Sequence, residues 1–123
     1  MPFVTGRKAL LALAVCAILQ PATSIAQDYP SRTVTIVVPL AAGTGMDSLV
    51  RLYSDKLQTV IGKPVIVENR PGAALMLAAS AVATAPADGY TLLVSTSAPM
   101  AINTVLYKKH NYNTQKDFAP ISL

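Results

Sequence analysis

An α/β fold, with a parallel sheet covered by helices on both faces, is predicted by two features of this sequence. Short β-branched runs at residues 34–39, 64–68 and 90–94 are too uniformly apolar for strands with one wet face, so both faces must be covered. Between them lie stretches long enough for crossover helices, the first with clear helical spacing, and strand–helix–strand–helix–strand connections of this length are right-handed and give parallel pairing.

These elements follow an N-terminal segment of different character. Arg7 and Lys8 precede an unbroken apolar run over residues 9–19, Pro21 breaks it, and Ser24-Ile25-Ala26 sets small residues at the −3 and −1 positions of a cleavage site. Residues 1–26 therefore read as a secretory signal peptide, cleaved near Ala26, and its apolar run is too short to span a bilayer, which takes roughly 20 residues. Cys16 lies inside that run behind the β-branched Val15, which suits a filler residue better than a lipidation site. Residues 27–123 then form the mature domain, with a periplasmic destination and no membrane insertion after cleavage.

The strand at 34–39, Val-Thr-Ile-Val-Val-Pro, is the first element of that domain. A helix follows, with Met46, Leu49, Val50, Tyr53, Leu57, Val60 and Ile61 along one face and Arg51, Ser54, Asp55 and Lys56 on the other. Thr44 is its expected cap, Asp47 completes a capping-box pattern, and Gly62 suits the left-handed position past its end. A second strand at 64–68 leads through the turn-rich Asn69-Arg70-Pro71-Gly72 into an alanine-rich helix expected over 73–85. Pro86-Ala87-Asp88-Gly89 stops it before the third strand. A shorter helix over 99–107, a polar stretch over 108–116 and a strand-like run from Phe118 complete the chain.

Composition removes several function classes. The only cysteine is Cys16, so the mature domain has neither a disulfide nor a thiol nucleophile. Loss of Arg7 and Lys8 lowers the formal charge from +4 to +2, and no basic tract interleaved with aromatics remains to serve nucleic acid. His110 is the sole histidine, which leaves too few ligands of the usual kind for zinc, and no cofactor is implied.

In open α/β sheets ligands bind beyond the carboxyl ends of the strands, and two connections there have suitable residues. In the first, Ala42, Gly43, Thr44, Gly45 and Asp47 combine glycines with the start of a helix, where unpaired N–H groups and the positive dipole end favour an anion. The alternative is an ordinary glycine-bearing helix entry. Neither a dinucleotide fingerprint nor a P-loop is present, because the third glycine of one and the Gly-Lys-Ser/Thr of the other are missing. In the second connection Ser95, Thr96 and Ser97 can donate to a carboxylate or cap the following helix. Those serines lack nucleophile-elbow glycines, and Asp47, Glu68 and Asp88 have no evident catalytic partner. A binding module fits better than a small hydrolase or transferase using Asp47 or a loop serine, and no catalytic residue is assigned.

Taken in order, the motifs resemble the Bug-type receptors, the substrate-binding components of tripartite tricarboxylate transporters. The resemblance rests on Tyr29-Pro30-Ser31-Arg32, Val37-Val38-Pro39-Leu40-Ala41-Ala42-Gly43 with Asp47, Gly62-Lys63-Pro64-Val65, Val67-Glu68-Asn69-Arg70-Pro71-Gly72-Ala73, Asp88-Gly89-Tyr90-Thr91-Leu92-Leu93, Ala101-Ile102-Asn103 and Lys116-Asp117-Phe118-Ala119-Pro120. It implies the first lobe of a type II periplasmic-binding-protein fold. It also implies capture of a small organic anion, a carboxylate, through the two loops just described, for delivery to membrane transporter or sensor subunits. The family pattern has glycine and proline where this chain has Thr44 and Gly45, and Gly-Gly-Asn-Ile-Gly where it has Ala74-Leu75-Met76-Leu77-Ala78. The resemblance further implies a second lobe, so the chain reads as an N-terminal portion, with a non-functional remnant as the competing reading.

Overall fold

The computed structural model describes residues 28–122. The leader read at residues 1–26, with Cys16 inside it, and Leu123 lie outside the described residues.

Three strands form one parallel sheet: β1 (Val34–Val38), β2 (Val65–Asn69) and β3 (Thr91–Leu93), in the order β2-β1-β3. Val34 pairs with Val65 and Val38 with Asn69 on one side of β1, while Thr35 and Val37 pair with Thr91 and Leu93 on the other. Position in the sheet explains the composition of β1. It has a neighbour along each edge and cover on each face, so Val34, Ile36, Val37 and Val38 are all buried.

Helix α1 (Gly45–Ile61) packs on the face presented by Val34, Ile36 and Val38. Val50 is buried there with Val65, and Met46, Leu57 and Ile61 close around them. Burying each such valine is worth roughly 1.5–3 kcal/mol over leaving it in water. The Thr44 hydroxyl accepts from the Asp47 amide at 3.4 Å, and Gly62, at φ 65°, donates to the Gln58 carbonyl.

The packed stripe of α1 is narrower than its apolar face. Ser54, expected on the outer side, is buried and donates its hydroxyl to the Val65 carbonyl at 3.1 Å. Leu49, Tyr53 and Val60, expected in the core, are 53%, 66% and 83% exposed. The helix lies over β1 and β2, so among the described residues its flank toward β3 meets no further element. An open apolar groove between Ile36, Met46, Leu49, Tyr53 and Val94 results.

Helix α2 (Met76–Ala83) is shorter than the expected 73–85 and lies on the opposite face, where Val37, Ala78 and Ala79 are buried. Its start is displaced because Ala73, Ala74 and Leu75 all have positive φ, at 47°, 53° and 72°. Leu75 N–H bonds back to the Gly72 carbonyl at 2.9 Å, and buried Asn103 donates to the Ala74 carbonyl at 2.7 Å. Three non-glycine residues in a row are thereby held in a left-handed turn, a conformation costing roughly 1–2 kcal/mol per residue.

After β3 the chain makes a π-helical turn (Ala98–Ile102) running into the short α3 (Asn103–Leu106), where one helix over 99–107 was expected. Residues 118–122 form no strand; instead Phe118 packs edge-on to Tyr112, whose hydroxyl donates to the Pro99 carbonyl at 2.6 Å. At the other end of the sheet the N-terminal segment is latched to the entry of β3. Arg32 pairs with Asp88 at 2.7 Å and lies over the Tyr90 ring, while Ser31 N–H donates to the Tyr90 hydroxyl.

Candidate functional site

The β1–α1–β2 crossover covers one face of the sheet and β2–α2–β3 the other, so the chains leaving neighbouring strands β1 and β3 diverge. That divergence makes a crevice beyond their carboxyl ends, the usual ligand position in such sheets. The loops flanking it are the two anticipated, one entering α1 and the other holding Ser95, Thr96 and Ser97.

Asp47 dominates the first loop, although not as an outward-facing group. Its side chain is buried, with 3% residue exposure. Oδ2 accepts from the Gly43 amide at 2.9 Å and from Arg51 Nε at 3.0 Å, and Oδ1 accepts from Asn69 Nδ2 at 2.8 Å. The Arg51 bond, then the Gly43 amide and Asn69, hold the carboxyl well below the usual carboxylate range, against the opposing effect of burial. Thr44 is also engaged, donating its hydroxyl to the Ala41 carbonyl at 2.9 Å. Among the described residues nothing accepts from the main-chain amides of Ala42, Gly45 or Met46. Ala42, Gly43 and Gly45 are exposed, and no neighbour lies within 4 Å of a side-chain carbon built on either glycine. The loop surface is therefore backbone, open to solvent.

In the second loop the three hydroxyls differ. The Ser95 Oγ is buried and has no partner among the described residues. Thr96 accepts from the Ala98 amide at 3.4 Å and so serves the following turn, whereas Ser97 is exposed and makes no capping bond.

Arg51 and Asn69 were not singled out from the sequence, which placed Arg51 on the solvent side of its helix and Asn69 in a turn. Arg51 is indeed half-exposed, but it points along the helix at Asp47, four residues back. That i,i+4 spacing was the available signal. Asn69 instead ends β2, a position that follows from tertiary pairing. His110 has its Nδ1 3.3 Å from the Tyr107 carbonyl and its ring beside that of Tyr112. Among the described residues no three His, Cys, Asp or Glu side chains gather as a metal site requires, and no helix is long and apolar enough to cross a membrane.

Residues 49–123 match the model of the tripartite tricarboxylate transporter family receptor, TctC. The chain belongs to this family. BugT of Bordetella pertussis is 38% identical over 99 residues, covering 80% of this chain and 30% of BugT. Among solved structures, MatC of Rhodopseudomonas palustris with bound malate superposes with a TM-score of 0.70 at 40% identity, covering 75% of this chain and 31% of MatC. Rpa4515 of R. palustris, solved with adipate, gives 0.67 at 38% identity, covering 71% and 29%. This TctC-family chain spans about a third of the length of the curated relatives it matches.

Proposed function

We propose that this chain forms one wall of a carboxylate-binding cleft in an exported solute receptor. The observation that supports the reading best is the crevice between the β1 and β3 loops. It is flanked by the unpartnered amides of Ala42, Gly45 and Met46 and the unpartnered Ser95 hydroxyl, in a family whose members hold malate and adipate. A carboxylate accepting there gains roughly 1.5–3 kcal/mol per charge-assisted bond, and three such bonds approach the roughly 8 kcal/mol of micromolar affinity. Ser97 and Thr96 border the same crevice and contribute to selectivity, while Gly43, Thr44 and Asp47 set the loop's shape.

The reading includes periplasmic location, reached by removal of residues 1–26, and delivery of the ligand to membrane transporter or sensor subunits. It is a receptor's chemistry and not an enzyme's. A carboxyl held as low as that of Asp47 is a poor base at neutral pH. The described contacts of Ser95 and Ser97 include no bond to His110, the one imidazole that could activate them.

Calorimetric titration of the exported chain with malate and adipate is the test. Saturable heat with one of them, weakened about tenfold by Ser95→Ala, is the expected result. Flat traces with both would overturn the carboxylate reading, and an isotherm indifferent to Ser95→Ala and to Ser97→Ala would remove the β3 loop from the site. The mass of the exported protein is expected to correspond to a chain beginning at Gln27.

A further inference from the structure

Resting on the reading of the β1 loop as a ligand loop, we propose that Asn69 is its positioning residue. Asn69 sits at the end of β2, still within its pairing with β1. It pairs with Val38 in the β1–β2 register, and the next amide, Arg70 N–H, donates to the Val38 carbonyl at 2.8 Å. From there its side chain crosses to the neighbouring strand's loop. Nδ2 donates to the Leu40 carbonyl at 3.0 Å and to Asp47 Oδ1 at 2.8 Å, and Oδ1 accepts from Arg51 Nη2 at 3.0 Å. The amide orientation is set by charge: reversed, it would aim its N–H groups at a guanidinium and its oxygen at a carbonyl and a carboxylate.

The loop is consequently fastened at three places by one connected group. Leu40, at its start, is held by Asn69 directly. Asp47, at its end, is held by Asn69 and Arg51. Gly43, midway, donates to the Asp47 oxygen that Arg51 also grips. Gly43 has φ 84°, so without that tether the loop has an unusually wide choice of backbone conformations. Asn69 thus ties a glycine-bearing loop to the hydrogen-bonded register of β1 and β2. Arg51 also neutralises the Asp47 charge, which would otherwise repel an arriving anion.

The experiment compares amide hydrogen exchange by NMR in the wild-type chain, Asn69→Ala and Asn69→Asp. The aspartate keeps the size and the acceptor for Arg51 but cannot donate to Leu40 or Asp47. Loss of charge-assisted bonding predicts that both variants speed exchange at Gly43 by about tenfold or more, with Ile36 and Val38 in β1 unchanged. Unchanged exchange at Gly43, protection retained in Asn69→Asp alone, or equal acceleration in β1 would overturn the proposal. Because this readout uses no ligand, it stands apart from the carboxylate reading, which fails separately if wild type ignores malate and adipate. Where wild type binds one of them, both variants are expected to weaken it about tenfold, and equal affinity in all three would also sink the positioning role.

Discussion

Asp47 places a full negative charge at the start of a helix proposed to receive an anion, and its surroundings explain how the two are compatible. Both oxygens are occupied by Gly43, Arg51 and Asn69, which lower its folded-state pKa. A group lowered in this way adds stability that is complete above its unfolded value, near 4, and is lost as pH falls toward its folded value. The wild-type chain is therefore expected to lose stability as pH falls below about 4. Asp47→Asn, less stable at pH 7, should lose less over that interval, as urea midpoints at pH 3, 4 and 7 would show. At this scale the sequence was half legible. Thr44, Asp47 and Gly62 could be placed because capping is local, and the same locality made Arg51 available through its spacing. Asn69 could not be found that way, since its partners become neighbours only when β2 aligns with β1.

The start of α2 shows the limit of propensity at the level of an element. Alanine and leucine over residues 73–75 favour a helix, yet Ala73, Ala74 and Leu75 keep the left-handed backbone of a glycine turn. What holds them is Asn103, twenty-nine residues further along the chain, through the Ala74 carbonyl. Relief of left-handed strain, less glycine's entropy cost, predicts that Ala74→Gly and Leu75→Gly each stabilise the chain by about 0.5–1 kcal/mol in urea denaturation. Gly62→Ala, at φ 65° with open space around it, is expected to cost about 1 kcal/mol from backbone strain alone. Helix α1 teaches a complementary lesson. Its period was plain, but which part of a broad apolar face would be buried depended on where the sheet ended. Ser54 lies inside because α1 leans over β2, and Tyr53 lies outside because no element among the described residues covers the flank beside β3.

Across the whole molecule, the parallel direction of the strands and the cover on both faces of the sheet followed from crossover lengths. The exposed flank did not. Among the described residues no strand pairs with the outer edge of β3, and beside it runs the groove of Ile36, Met46, Leu49, Tyr53 and Val94. An open edge next to an apolar groove favours association, so sedimentation velocity is expected to show concentration-dependent self-association of this chain. Leu49→Lys with Tyr53→Lys should reduce it while leaving the melting midpoint nearly unchanged, since both side chains are mostly exposed. The central place of β1 has a further consequence, in time. Thr35 pairs with Ile66 on one side and with Thr91, almost twice as far along the chain, on the other. The earliest strand made is thus the one that must wait for all the others, and every pairing in the sheet is distant in sequence. Such topologies fold slowly. In the exported receptor proposed above, such a delay would keep the chain passable to a translocation pore until β3 has emerged.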